Sequence, residues 1–203
     1  MNALSVMNGG IPGAVEGNGL ASCARAHRYG FLLALLFLQL AAGTHAQISR
    51  GDQIKAAFLY NFTKFIEWPS NSFTDVNAAI VIGVLGDSSM AAALNDLVRD
   101  RKVNGRPITV RTVRNAAEAA STNELFVSAA ESSRWAQMQV AIETRPVVTV
   151  GESPEFARSG GTINFVVQDD KLRFEINMTA AERSGVKISA QLQKLAAAVE
   201  RVP

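Results

Sequence analysis

Downstream of position 46 the sequence has neither cysteine nor histidine: Cys23, His27 and His45 are the only such residues in the 203-residue chain. That part of the chain therefore has no Ser-His-Asp or Cys-His catalysis, no thiolate or imidazole zinc site and no intrachain disulfide. Aromatic residues are scarce, at 7%. The formal net charge is only +2, with both signs dispersed. No stretch interleaves basic and aromatic residues as phosphate backbones require, which argues against nucleic acid as a partner. The apolar run Phe31 to Ala42 falls short of the roughly 20 residues of a membrane-spanning helix.

That run has another use. Arg25, His27 and Arg28 precede it, and small residues ending in Thr44-His45-Ala46 follow it. The order basic, apolar, small is that of a secretory signal peptide, with cleavage expected after Ala46. Residues 1–46, including a long Gly- and Asn-rich lead, are then removed. Residues 47–203 form a single domain, large enough to be held by its core without disulfides.

The first stretch of that domain, IKAAFLYNFTKFIEWP (Ile54 to Pro69), carries Phe58, Tyr60, Phe62, Phe65 and Trp68. The spacing of Ile54, Phe58, Phe62, Phe65 and Ile66 predicts a helix with one apolar face. Asp52 is expected as its N-cap, and Trp68-Pro69 as its end, because the residue before proline is pushed out of the α region.

Beyond a polar loop, Ala79 to Leu85 is a short β-branched run, as in a strand buried on both faces. Asp87 or Ser88 is expected to cap a helix through Met90, Leu94, Leu97 and Val98. Further strands are expected at Ile108 to Val113, Glu124 to Ser128 and Val147 to Val150, with a short connector at Ala116 to Ala120 and a helix from Ser132 to Ile142. Such alternation predicts an α/β fold: a mostly parallel sheet flanked by helices on both faces. The pattern then changes. Thr162 to Val167 and Leu172 to Ile176, joined at Asp169-Asp170, predict a C-terminal antiparallel hairpin. Terminal helices follow over Thr179 to Arg183 and from Ser189, the latter with Leu192, Leu195, Ala196 and Val199 as its apolar stripe.

Chemistry-bearing residues are few. Gly83-Val84-Leu85-Gly86-Asp87-Ser88 sits where a helix N-terminus could meet an anion, but lacks the lysine of a P-loop and the third glycine of a dinucleotide fingerprint. A phosphorelay receiver needs a carboxylate ending the third strand, and Ser128 stands there. Asp169 and Asp170 read as solvated turn formers rather than metal ligands. No spacing suggests a catalytic constellation, so the chain reads as a non-enzyme without metal or cofactor.

The segments IKAAFLYNFTKFIEWP, GVLGDSS, RPVVTVGE and GGTINFVVQDDKLRFEINMTAAERSGVKISAQLQKLA resemble, in this order, the YfiR family of exported proteins. The likeness runs from about Ile54 to Val199 and is most specific at its two ends. It implies a periplasmic α/β domain, often homodimeric, that represses a membrane-bound diguanylate cyclase of the YfiN type by binding its periplasmic part. It also implies release of repression by an outer-membrane lipoprotein that sequesters the repressor. Repression would lower cyclic di-GMP, which promotes biofilm formation. The best known members carry disulfides; the absence of cysteine after position 46 removes that route to redox sensing.

Two binding surfaces follow. Trp68 with Phe165, Arg173, Glu175 and Asn177 on the hairpin is the expected partner contact, since aromatic and arginine residues dominate interface energetics. The alternative is a periplasmic small-solute binding or sensor protein feeding a different membrane sensor. Its pocket would lie at the strand ends, at Gly86, Asp87, Ser88, Gly151, Glu152 and Ser153.

Overall fold

The computed structural model describes residues 48–201; the expected signal segment lies outside the described residues. The first helix, α1 (Arg50–Phe62), is capped by Ser49. The Ser49 hydroxyl accepts from the Asp52 amide at 3.0 Å, and the Asp52 carboxylate accepts from the Ser49 amide at 3.3 Å. This reciprocal capping box corrects the expected N-cap: Asp52 is the return acceptor, three residues inside.

The helix is also shorter than its periodicity suggests. Thr63 turns its hydroxyl back to the Tyr60 carbonyl at 2.7 Å, and Ile66–Glu67 becomes β1. This strand pairs antiparallel with Lys187–Ile188, which is β9. Ile66 reaches the core from a strand, so its apolar spacing imitated a helical turn.

The main sheet is built from β2 (Ile80–Leu85), β3 (Lys102–Val103), β4 (Arg106–Val113), β5 (Glu124–Val127), β6 (Val148–Gly151), β7 (Ile163–Gln168), β8 (Lys171–Asn177) and β10 (Ala198–Glu200). Its order is β10-β8-β7-β6-β5-β2-β4-β3. Strands β4, β2, β5, β6 and β7 are parallel; β8 runs against β7, and β3 against β4. The chain steps from β2 to β4 on one side and then to β5 on the other, so the topological switch lies between β2 and β5. The α/β fold with a C-terminal hairpin is as the alternation predicts.

The crossovers are α2 (Ser88–Val98), α3 (Ala116–Ala119) and α4 (Ser132–Ile142). One face of the sheet packs Ile82, Val84, Phe126, Val150, Ile163 and Phe165 under α1 and α2. Phe62 is the centre of that layer, 5.0 Å from Phe174 and 6.0 Å from Phe165 between ring centroids. The other face packs Leu125 and Val127 against Trp135, Met138 and Ile142 of α4 and against Phe156.

The C-terminus departs from expectation. After α5 (Met178–Arg183), the last helix, α6 (Ala190–Leu195), stops short, and Leu195 is 57% exposed. Ala196 turns extended, and the Ala197 amide donates to the Phe174 carbonyl at 2.8 Å. Residues 198–200 then pair parallel with Glu175–Asn177. The open edge of β8 captures a segment whose local pattern reads as helix.

Candidate functional site

The carboxyl ends of β2, β5 and β6 form the crevice where open parallel sheets hold ligands, and α1 reaches over it. Asp87 caps α2 by accepting from the Met90 amide at 2.9 Å. Ser89 bridges Asp87 and Asp52, with contacts of 2.8 and 2.7 Å. One turn along α1, Lys55 pairs with Glu152, and the other oxygen of Glu152 accepts from the Ala129 amide at 3.1 Å. The two expected triads are thus tied to α1 by a polar network. Asp52 is buried, which opposes ionisation, but hydrogen bonds from Ser89 and Ser49 and the charge of Lys55 outweigh this and hold its carboxyl below the usual range.

Side chains occupy this crevice. Gly86 adopts φ +80°, and a Cβ there would lie 2.1 Å from Cγ of Glu131 and 2.7 Å from the Ser128 hydroxyl. Gly151 is glycine because the Phe156 ring lies 2.3 Å from where its Cβ would stand. Ser88 is exposed, and Ser153 is half-buried. Local patterning does not reveal Asp52, Lys55, Ser89 and Glu131 as part of this place. The one available signal was Asp52 and Lys55 at i, i+3 on α1, a spacing that puts both on one helix face.

The expected partner-contact set is divided. Phe165 is 4% exposed and packs in the aromatic layer; Asn177 is 2% exposed, donating to the Ala157 carbonyl at 2.8 Å and capping α5. Both are core residues, which corrects their expected place on the surface. Trp68 is half-buried, with its indole N–H donating to the Asn123 carbonyl at 3.1 Å. It stands at the amino ends of the parallel strands, away from the hairpin tip. Arg173 is exposed and Glu175 half-buried.

The hairpin overhangs the sheet. β6 pairs with β7 only at Ile163 and Asn164, so residues 165–168 extend past it, paired only with β8. Asp169 and Asp170 both take positive φ, 50° and 56°, the geometry of a tight two-residue turn. Beside the turn, Val167 is 75% exposed. The overhang therefore presents Val167, Lys171 and Arg173 to solvent.

A model of the family described as YfiR/HmsC-like matches residues 52–197. The chain belongs to the YfiR/HmsC-like family. The match begins at the capping-box carboxylate and ends where the chain joins β8, so it spans the domain described above. Among solved structures, a conserved domain protein from Vibrio cholerae O1 biovar eltor is similar at 13% identity and a TM-score of 0.48. The ABC domain in complex with L-Trp from Streptococcus pneumonia is similar at 13% identity and a TM-score of 0.46. Each likeness covers 73% of this chain and 60% of the other. Comparison with curated proteins gives no match. Among the described residues, no helix is long and apolar enough to cross a membrane.

One further group in this YfiR/HmsC-like domain was not foreseen. Glu124, the first residue of β5, is fully buried, and neither carboxylate oxygen has a hydrogen-bond partner. Burial alone pushes its carboxyl well above the usual range, because a low-dielectric surrounding disfavours the charged form. Its neighbour Asn123 ties three elements together. The Asn123 side chain accepts from the Val81 amide at 2.9 Å, and its carbonyl accepts from the Val148 amide at 2.9 Å and from Trp68.

Proposed function

We propose that this YfiR/HmsC-like protein is exported, loses residues 1–46 and acts in the periplasm as the repressor of a membrane-bound diguanylate cyclase of the YfiN type. Family membership over residues 52–197 is the observation that carries this reading. The periplasmic part of the cyclase is the target, and the hairpin overhang is the docking surface. Arg173, which stands opposite the half-buried Val166 in the hairpin register, suits such a contact, since arginine is enriched among the residues that dominate interface energies. The unpaired outer edge of residues 165–168 also offers backbone groups to a partner strand.

Repression requires that the protein bind the inactive state of the cyclase more tightly than the active one; equal affinity shifts nothing. An outer-membrane lipoprotein competing for the repressor would relieve it, and two copies of the chain would act as a homodimer. Without cysteine after position 46, the release signal is not a disulfide in this domain. The small-solute reading is weaker, because Lys55, Glu131 and Glu152 occupy the crevice it needs.

The docking surface is tested by pull-down from solubilised membranes with the purified protein as bait. The parent should retain a membrane protein bearing a cyclase domain, and Arg173→Glu should lose it with an unchanged melting temperature. Equal capture by both would refute the hairpin as the docking surface.

A further inference from the structure

The crossover after β4 is a single turn. α3 has four residues, whereas α2 and α4 have eleven each. Parallel sheets are ordinarily covered on both faces, and one turn cannot cover the amino halves of β2 and β4. The face that α4 packs elsewhere is open here, and Thr109 and Arg111 of β4 point out of it, exposed. The opening is a cleft of about 490 Å³, walled by the Asn71–Thr74 loop and by the turns that lead into β5 and β6.

The walls carry charge of one sign. Arg111 lies opposite Gly83 in the sheet register, so no neighbouring β2 side chain covers it. Arg145 comes from the other wall, its backbone pinned by a 2.8 Å hydrogen bond to the Ile142 carbonyl and a 2.7 Å bond from the Val147 amide. Among the described residues neither guanidinium has an ion pair, and no carboxylate lines the cleft. Thr109 and Ser121 also line the cleft, the Ser121 hydroxyl donating to the Glu118 carbonyl at 2.7 Å.

We propose that this cleft binds a small carboxylate- or phosphate-bearing oxyanion between Arg111 and Arg145. The guanidinium fork matches the paired oxygens of a carboxylate or phosphate, and the volume is that of a small-molecule site. The site is distinct from both the filled crevice and the hairpin, since it lies at the amino ends of β2, β5 and β6. It also touches Trp68 indirectly. Phe73 and Asn123 line the cleft; Phe73 meets the Trp68 ring edge-on at 6.4 Å, and Asn123 accepts the indole N–H.

Calorimetric titration at constant ionic strength tests it, using protein purified after expression of the full-length sequence. Citrate and pyrophosphate are the probes, and the tighter of the two identifies the ligand as carboxylate- or phosphate-bearing. Saturable one-site binding is expected, weakened about tenfold or more in the Arg111→Gln/Arg145→Gln variant. Both arginines are exposed, so the variant should melt like the parent. Heats no larger than those of sodium chloride, for both probes, would overturn the proposal. So would binding that the double substitution leaves unchanged.

Discussion

Lys55 on α1 forms an ion pair with Glu152, which follows the end of β6, and so ties the first helix of the domain to the far side of the sheet's switch point. The two side chains keep only 23% and 17% of their accessible surface, so solvent screens the pair less than an open surface pair. A double-mutant cycle with Lys55→Met and Glu152→Gln, read by urea denaturation, should give a coupling of about 1 kcal/mol. Coupling near zero would mean that the contact does not hold α1 in place.

The aromatic layer should carry far more of the stability. Phe62 is 1% exposed and meets the rings of Phe58, Phe165 and Phe174. Truncation to Ala removes buried surface and leaves a cavity, at about 3–5 kcal/mol. Phe62→Ala should therefore melt far below the parent. Phe58→Ala, at a half-buried position, should fall less, which thermal denaturation of the two variants would show.

Glu124 gives the domain a pH dependence opposite to that of an ion-paired carboxylate. Its folded-state titration is raised from an ordinary value of 4.5, so the unfolded chain releases this proton first. Stability from this group is greatest below that value and falls as pH rises toward the folded titration, by about 1.4 kcal/mol per pH unit. Glu124→Gln removes the ionisation. The variant should gain on the parent between pH 5 and 8 in denaturant titrations. A constant difference across that range would show that Glu124 titrates normally.

Asp52 works in the other direction. Its carboxyl titrates below the ordinary 3.8, so its contribution is present above that value and lost as pH falls through the folded titration. Asp52→Asn should cost about 1 kcal/mol at neutral pH, the usual value of a lost cap interaction. The deficit should shrink in acid. A deficit that stays constant into acid would show that the charge of Asp52 is not what stabilises the box.

Where structure is local, the sequence showed it. The β-branched run before Gly86, the Asp169-Asp170 turn and the alternation of strand and helix each encode their element within a few residues. The misses are tertiary. Ile66–Glu67 is a strand only because Lys187–Ile188 pairs with it, and Ala198–Glu200 only because the edge of β8 is open to it. The crevice network joins residues 97 positions apart in the Lys55–Glu152 pair, beyond any local pattern. Of the expected contact residues, Arg173 was legible as exposed from hairpin alternation. Phe165 and Asn177 were misplaced, because alternation does not tell which face a helix will cover.

Repression of a diguanylate cyclase through the hairpin overhang, as proposed, should register in cellular cyclic di-GMP. A strain lacking this gene should hold more cyclic di-GMP than its parent. Restoring the natural sequence should bring the level down, and restoring Arg173→Glu, produced at equal abundance, should not. Unchanged cyclic di-GMP on deletion, in a strain that retains the cyclase, would rule out repression by this protein.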